Sequence, residues 1–206
     1  VYQIIGHTME GNIILHRKQY DYHSNDLGEQ ILKNKLINQK EAIKKLRIKT
    51  DAAGDTINKI DRYIFELDGN AGLQSMLGIE GSAARIYFKE IFSSADWHGR
   101  QPRIKRDYIN STLDIGYTIL FNIVDAMLSM YDFDTYQGVL HTCFYMRKSL
   151  VCDLMEPLRF IIDYQVRKSI NYGQIKEDDF KNYNGRIVLQ WKYSPKYTQL
   201  LLEPLI

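Results

Sequence analysis

Along most of the chain the apolar residues return every three or four positions, the period of a helix. Between Leu27 and Lys49, the residues Leu32, Leu36, Ile43 and Leu46 follow in steps of 4, 7 and 3, which marks one helical face, and Asp26 stands where an N-cap belongs. A second helix over about 52–67 carries Ile57, Ile60, Ile64 and Leu67 and stops at Asp68-Gly69. After the short apolar piece AGLQSML and Gly78, a third helix runs from Ile79 to about Phe92. Residues 93–106 are polar and punctuated, which predicts a loop. A long helix over about 107–130 shows Leu113, Leu120, Val124 and Met127 on its face. Asp132 to Gly138 reads as a turn, about 145–169 as another long helix, and Asp178-Asp179 as the cap of a short one. Strand patterns are confined to the ends. YQII (2–5) and NIIL (12–15) flank a turn at Glu10-Gly11, while GRIVLQWKY and YTQLLLEPL suggest a closing hairpin around Ser194-Pro195. The expected fold is mainly α: a helical bundle with small β elements at the N-terminus and a C-terminal hairpin.

Composition narrows the class. The 206 residues are 45% hydrophobic and 25% charged, enough for one packed domain and too apolar for a disordered chain. No run of apolar residues approaches about 18, so a membrane span is not expected. The opening VYQIIGHTMEGN lacks the basic start and apolar stretch of a secretory signal, and the absence of an initiator Met fits a fragment, a processed form or an engineered chain. Cys143 and Cys152 stand nine apart in one expected helical region, which is no zinc spacing and no disulfide framework, and a reducing cytoplasm is expected. The net charge of +2 says nothing about nucleic acid; only its distribution could.

Several polar residues stand on otherwise apolar segments. Glu80 lies between Gly78 and Gly81 and before Ala83 and Ala84, small neighbours that let a backbone or ligand approach; it also fits an ordinary acid in a helix's first turn. His141 closes the apolar GVLH, where a hydrogen-bonded core or cap residue is the common outcome and a ligand the rarer one. Asp153 and Glu156, three apart in SLVCDLMEPLRFIID, share a helical face and must be paired, protonated or bound to a cation, with Arg147, Lys148 or Arg159 as the ordinary partners. Pro157 kinks the helix directly after Glu156 for no reason visible in the sequence. Glu80, His141 and either Glu156 or Asp153 make a set suited to Mg²⁺ or Mn²⁺, the imidazole favouring Mn²⁺. From Lys33 to Lys49 there are seven Lys/Arg against one acid, Glu41, and Lys33, Lys40, Lys44 and Arg47 fall on one face. With Arg85, Arg147, Lys148 and the loop residues Arg100, Arg103, Lys105 and Arg106, they form either a solvated face or a track for a phosphate backbone.

Three blocks in order, GIEGSAARIYF, DYINSTLDIGYTILFNIV and YQGVLHTCFYMRKSLVCDLMEPLR, resemble the catalytic domain of the CRISPR-associated integrase, protein one of the spacer-acquisition machinery; NQKEAIKKL in the first long helix resembles it too. The similarity covers roughly residues 20–170. It implies that Glu80, His141 and Glu156 bind a divalent metal, that Asp153 lies beside it, and that Arg85, Asn110, Arg147 and Lys148 line the active-site surface, with the basic helix and loop facing DNA. The implied activity is metal-dependent integration and endonuclease cleavage: a 3′-hydroxyl of a short prespacer attacks a phosphodiester in the CRISPR repeat. The implied partners are those DNAs, further copies of the chain and a small ferredoxin-like companion, in a prokaryotic cytoplasm with no membrane. Members of that family carry a β-rich N-terminal domain, of which residues 1–16 could be a remnant, leaving 17–206 as the helical catalytic domain. Two rival readings use the same residues: a general metal-dependent nuclease for branched DNA, and a non-catalytic DNA-binding helical scaffold in which Glu80, Asp153 and Glu156 pair with Arg.

Overall fold

The computed structural model describes residues 12–24, 26–47, 49–67, 72–95, 97, 99–102, 104–141 and 144–206. These fold as helices α1 (Ile13–Tyr20), α2 (Asp26–Lys44), α3 (Ala53–Leu67), α4 (Leu73–Ile91), α5 (Tyr108–Met130), α6 (Ser149–Met155) and α7 (Arg159–Asn171). A two-stranded hairpin, β1 (Phe180–Tyr183) and β2 (Arg186–Leu189), and helix α8 (Ser194–Leu202) follow. Helices α2, α3 and α4 pack on one another as one layer; α5 packs against α6, α7, α8 and β2 as the second. The core formed by both groups includes Leu32, Leu36, Ile43, Ile60, Leu67, Tyr87, Ile91, Leu113, Val151, Ile162 and Val166, all essentially without solvent contact. The apolar stripes read from the sequence are therefore the core faces, with one exception: Met127 is 59% exposed. Gly116 lets α5 and α7 pack closely, since an added Cβ would collide with the Ile162 side chain.

Several expectations change. NIIL belongs to helix α1 instead of a strand: the side chain of Asn12 accepts from the Leu15 N–H at 3.0 Å and so caps the first turn. Gln19 then exchanges two hydrogen bonds with the main chain of Asp134, at 3.2 and 2.9 Å, which ties α1 to the turn after α5. The expected strand 2–5 and the turn at Glu10-Gly11 lie outside the described residues, as does the stop at Asp68-Gly69. Asp26 is the first helical residue of α2 and not its cap; its N–H donates to Ser24 Oγ at 3.1 Å. The third helix starts at Leu73, well before Ile79, because Gly78 sits inside it on a face where an added Cβ would meet nothing. The hairpin turns at Asn184-Gly185, both at positive φ (50° and 80°), and not at Ser194-Pro195. Pro195 instead occupies the first turn of α8, where its missing N–H is harmless, and Tyr197 and Leu201, four apart, bury that helix.

Helix α5 is long and apolar enough to cross a membrane by length and composition, contrary to the expectation from the apolar runs. In this fold Ile109, Leu113 and Leu120 are buried in the protein core. The expected helix over 145–169 begins only at Ser149 and breaks at Pro157 into α6, a single 3₁₀ turn Glu156–Leu158 and α7. Cys143 lies outside the described residues, and Cys152 is a half-buried free thiol.

Candidate active site

The break at Pro157 has a purpose that the sequence does not disclose. It lays the 156–158 turn across α2, where the Pro157 carbonyl accepts from Asn38 Nδ2 at 2.8 Å. Glu156, only 4% exposed, then lies between two cations: Lys35 Nζ at 2.7 Å from Oε2 and Arg159 Nη2 at 2.8 Å from Oε1. The same Lys35 ammonium is hydrogen-bonded to Glu80 Oε1 of α4. One buried lysine thus ties together two carboxylates from different layers of the fold. Burial works to lower the Lys35 pKa, but Glu156 and Glu80 more than offset it and hold the ammonium above its usual range. Burial pushes Glu156 up; Lys35 and Arg159 outweigh it and keep the carboxyl below its usual range. Oε2 of Glu156 is buried with Lys35 beside it, yet it makes no hydrogen bond of good geometry, so acceptor capacity is left over.

Lys35 is absent from the partners that the sequence suggests, although its position gives it away. It sits on the buried stripe of α2 with Ile31, Leu32, Leu36, Gln39, Ala42 and Ile43, where a lone cation needs an acid. Of the suggested partners, Arg159 pairs with Glu156 as expected, while Lys148 holds Asp125 through both oxygens at 2.8 and 2.7 Å.

Asp153, without solvent exposure, is paired neither with an arginine nor with a lysine among the described residues. Its two oxygens accept the main-chain N–H groups of Val139 (2.7 Å), Leu140 (2.9 Å) and His141 (3.0 Å), and the His141 ring nitrogen Nδ1 at 2.5 Å. A carboxylate cannot donate, so Nδ1 carries the proton and Nε2 is the nitrogen left able to bind a ligand. The Asp153 hydrogen bond raises the His141 pKa above its usual value; burial opposes this, and the charges of Asp153, Glu156 and Glu80 add to it. Gly138 lets this strap close, because a Cβ there would lie 2.6 Å from Ser149 Cβ and 2.8 Å from Asp153 Oδ2.

Behind Glu156 lies a second buried carboxylate. Asp163 accepts from Tyr87 at 3.0 Å and from Tyr117, and the Tyr117 ring lies beneath the guanidinium groups of Arg159 (4.9 Å) and Arg100 (5.2 Å). Burial pushes Asp163 up to about 6, against the pull of both tyrosine hydroxyls and both arginines. Between pH 3.8 and about 6 the folded chain holds a proton that the unfolded chain has released. This contribution is therefore full at low pH and is lost as pH rises through the folded pKa, about 3 kcal/mol in all. Asp163→Asn should remove it. Urea unfolding at pH 4 and pH 7 should show the wild type gaining on the variant at the lower pH, and an equal difference at both would refute the buried-acid account.

The basic residues divide into three groups. Lys33, Lys40 and Lys44 are engaged with Glu29 (2.7 Å), Asp61 (2.5 Å) and Glu41 (2.8 Å), and Arg47 lies beyond the end of α2 instead of on its face. That pattern agrees with a solvated face. Arg100 is tied to Asp114 at 2.5 Å and to Asn110 at 3.0 Å, and Arg147 to Ser149 at 3.2 Å. Asn110 is fully buried; its side chain fastens Gly99, Arg100 and Gln101 to the start of α5, so it positions the loop and offers nothing to a ligand at the surface. Arg85 and Arg106 are exposed, Lys105 is half-buried, and Arg103 lies outside the described residues.

Among the described residues, no three His, Cys, Asp or Glu side chains close on one point as a ready cage for an ion. The carboxylates of Glu80 and Glu156 converge on Lys35, with His141 within electrostatic reach of both.

Comparison with known proteins gives this geometry a family. The family described as "CRISPR associated protein Cas1" matches residues 1–203. The chain belongs to the Cas1 family. It is 31% identical to the CRISPR-associated protein Cas1 3 of Methanobrevibacter ruminantium over 90% of the chain and 63% of that protein. It is 29% identical to the CRISPR-associated endonuclease Cas1 1 of Archaeoglobus fulgidus over 87% of the chain and 61% of that protein. Among solved structures, a chain of a partial Cas6-RT-Cas1–Cas2 complex superposes with a TM-score of 0.83 at 27% identity, over 91% of this chain and 60% of that one. The chain therefore spans about three fifths of the length of the Cas1 relatives it matches. The helical fold expected from the sequence is the fold these Cas1 proteins share.

Proposed function

We propose that this chain is the metal-dependent catalytic part of a DNA integrase and endonuclease that inserts short DNA fragments into a CRISPR array. The observation that carries the reading is the convergence of Glu80 and Glu156 on one positive charge beside an imidazole whose Nδ1 is tied down. Two carboxylates and one imidazole nitrogen form an oxygen-rich donor set that suits Mg²⁺ or Mn²⁺. Glu80, Glu156 and His141 Nε2 would hold such an ion once the Lys35 ammonium turns aside. Bound there, it would polarise the phosphate and neutralise charge on the attacking and leaving oxygens of a 3′-hydroxyl attack on a phosphodiester. Asp153 keeps His141 in the tautomer that such a ligand needs. Lys35 and Arg159 leave positive charge beside the reacting phosphate, which the protein stabilises by placement more than by covalent help. Arg85, Lys105 and Arg106 offer cations to the DNA backbone; Lys33, Lys40 and Lys44 would have to leave their acids to join them. Such binding is mainly to phosphate and weakens steeply with salt.

The prespacer, the repeat, assembly with further copies and with a ferredoxin-like companion, and a prokaryotic cytoplasm belong to the same proposal. A relative named as an endonuclease and a likeness to a chain from a Cas1–Cas2 complex support it. The ion pairs at Glu80 and Glu156 would equally serve a non-catalytic DNA-binding scaffold, so the test must separate the readings. A plasmid carrying a CRISPR repeat is incubated with a short duplex bearing free 3′ ends. Joined product should form with Mn²⁺ or Mg²⁺, vanish with EDTA and return when the ion is restored. Cleavage without joining would leave the branched-DNA nuclease, and neither cleavage nor joining would leave the scaffold.

A further inference from the structure

The C-terminal hairpin carries side chains for which the carboxylate cluster has no use. In its register Lys181 stands opposite Val188 and Tyr183 opposite Arg186, so these four project from one face of the ladder. The other face turns Phe180, Ile187 and Leu189 to the core. The outer face is left in water. Tyr183 is 71% exposed and Trp191, just past β2, is 87% exposed. Both border a shallow groove of about 350 Å³, whose remaining walls include Lys181, Val188, Gln190 and Lys192.

Two large rings held in solvent at one groove are an expense that folding alone does not justify. Every charged side chain lining the groove is a cation, Lys181 and Lys192, and Arg186 adds a third on the same face as Lys181. A partner that complements them carries negative charge at close spacing and flat apolar surface between the charges. The platform is also fixed in place. Ile187 N–H donates to the Lys105 carbonyl at 2.7 Å, and Ser111 Oγ donates to the Ile187 carbonyl. The hairpin is thereby stitched to the basic loop, with Lys105 and Arg106 at its root, so cationic surface continues from the loop onto the hairpin.

We propose that the outer face of the β1–β2 hairpin is a stacking platform for single-stranded nucleic acid, with Trp191 and Tyr183 receiving base faces and Lys181, Arg186 and Lys192 receiving phosphates. Bases in a closed duplex are already stacked on each other and cannot use such rings, so the occupant is an unpaired strand. This site is separate from the metal reading and stands or falls apart from it.

The test uses the whole chain and a twelve-residue oligothymidylate at low salt. The strand should quench the wild-type tryptophan emission, and Trp191→Ala should abolish that quenching, since only two tryptophans are present. Trp191→Ala and Tyr183→Ala should each weaken binding of the strand about tenfold, the scale of one lost base stack, while Trp191→Phe keeps most of it. Blunt duplex binding should not change in any of them. Lys181→Gln with Lys192→Gln should flatten the salt dependence of strand binding. All the substituted positions lie at the surface, and circular dichroism checks that each variant folds. Unquenched emission at saturating strand, or equal strand affinity in Trp191→Ala, would overturn the proposal. So would a Trp191→Ala variant that turns a larger assembly into monomers in sedimentation with strand binding intact, since the face would then belong to a second copy of this chain.

Discussion

Glu156→Ala and Glu80→Ala lose the same chemistry and leave proteins of different stability. Each substitution deletes an oxygen ligand from the proposed ion, and strand cleavage and joining should fall by about 10³-fold or more in both. Their structural costs diverge. Glu156 is 4% exposed and neutralises both Lys35 and Arg159, so its removal leaves buried Lys35 with Glu80 alone and takes the acid from the part-buried Arg159, and should destabilise the fold by about 3 kcal/mol. Glu80 is the more open partner, with a side chain 20% exposed, and Lys35 keeps Glu156 when it is gone, so that loss should be smaller. Chemical denaturation beside a cleavage assay reads both effects. Equal stability losses would mean that Lys35 is held by Glu80 as firmly as by Glu156, contrary to their burial.

The second large effect falls on Asp153. Asp153→Asn keeps the shape and replaces one acceptor oxygen by an amide donor, which then faces N–H groups of the 139–141 strap or the His141 ring. At least one buried donor loses its partner, at about 1–3 kcal/mol each, and the carboxylate charge goes as well. The melting temperature should drop by about 5–10 °C. The imidazole should lose its fixed orientation, and with it most of the activity, although Asp153 touches no substrate in the proposed scheme. Heteronuclear NMR of the His141 ring reads the orientation directly: a variant that keeps the wild-type tautomer and Nδ1 shift would remove Asp153 from this role. Adding Mn²⁺ should rescue neither the melting temperature nor the ring.

Much of this is legible in the sequence. Helical periodicity gives the core faces of α2, α3 and α5 except at Met127, because a stripe that repeats every 3.6 residues has only one way to bury itself. The acids on apolar segments need partners, and Asp153 and Glu156 have them. What escaped were features that depend on contacts remote in sequence. NIIL is β-branched enough for a strand, but its local cap at Asn12 and its docking on the turn at Asp134 prevail. The Asn-Gly pair at 184–185 is a strong hairpin signal that the more apolar segments around Pro195 obscured. Lys35 looked like one more member of a basic run; only its place on the buried stripe of α2 separated it from Lys33 and Lys40. Asn110, which the resemblance puts on the active-site surface, is fully buried and pegs the loop. In each case the residue type was ordinary and the neighbour across the fold decided its role.

The contact between α2 and the turn at Pro157 bridges 119 residues, and the one between Lys35 and Glu80 bridges 45. A ribosome adding roughly 5–20 residues per second needs about 6–24 s to travel the longer of those distances. During that interval the emerging chain can pair Lys35 with Glu80 but has nothing to set against it from the far side. The two halves of the site are thus made at different moments of synthesis, and a nascent chain halted before Glu156 carries a lysine-capped glutamate and no place for a divalent ion. The proposed ligand set is complete only once Glu156 has emerged, when α2 and α4 are already out.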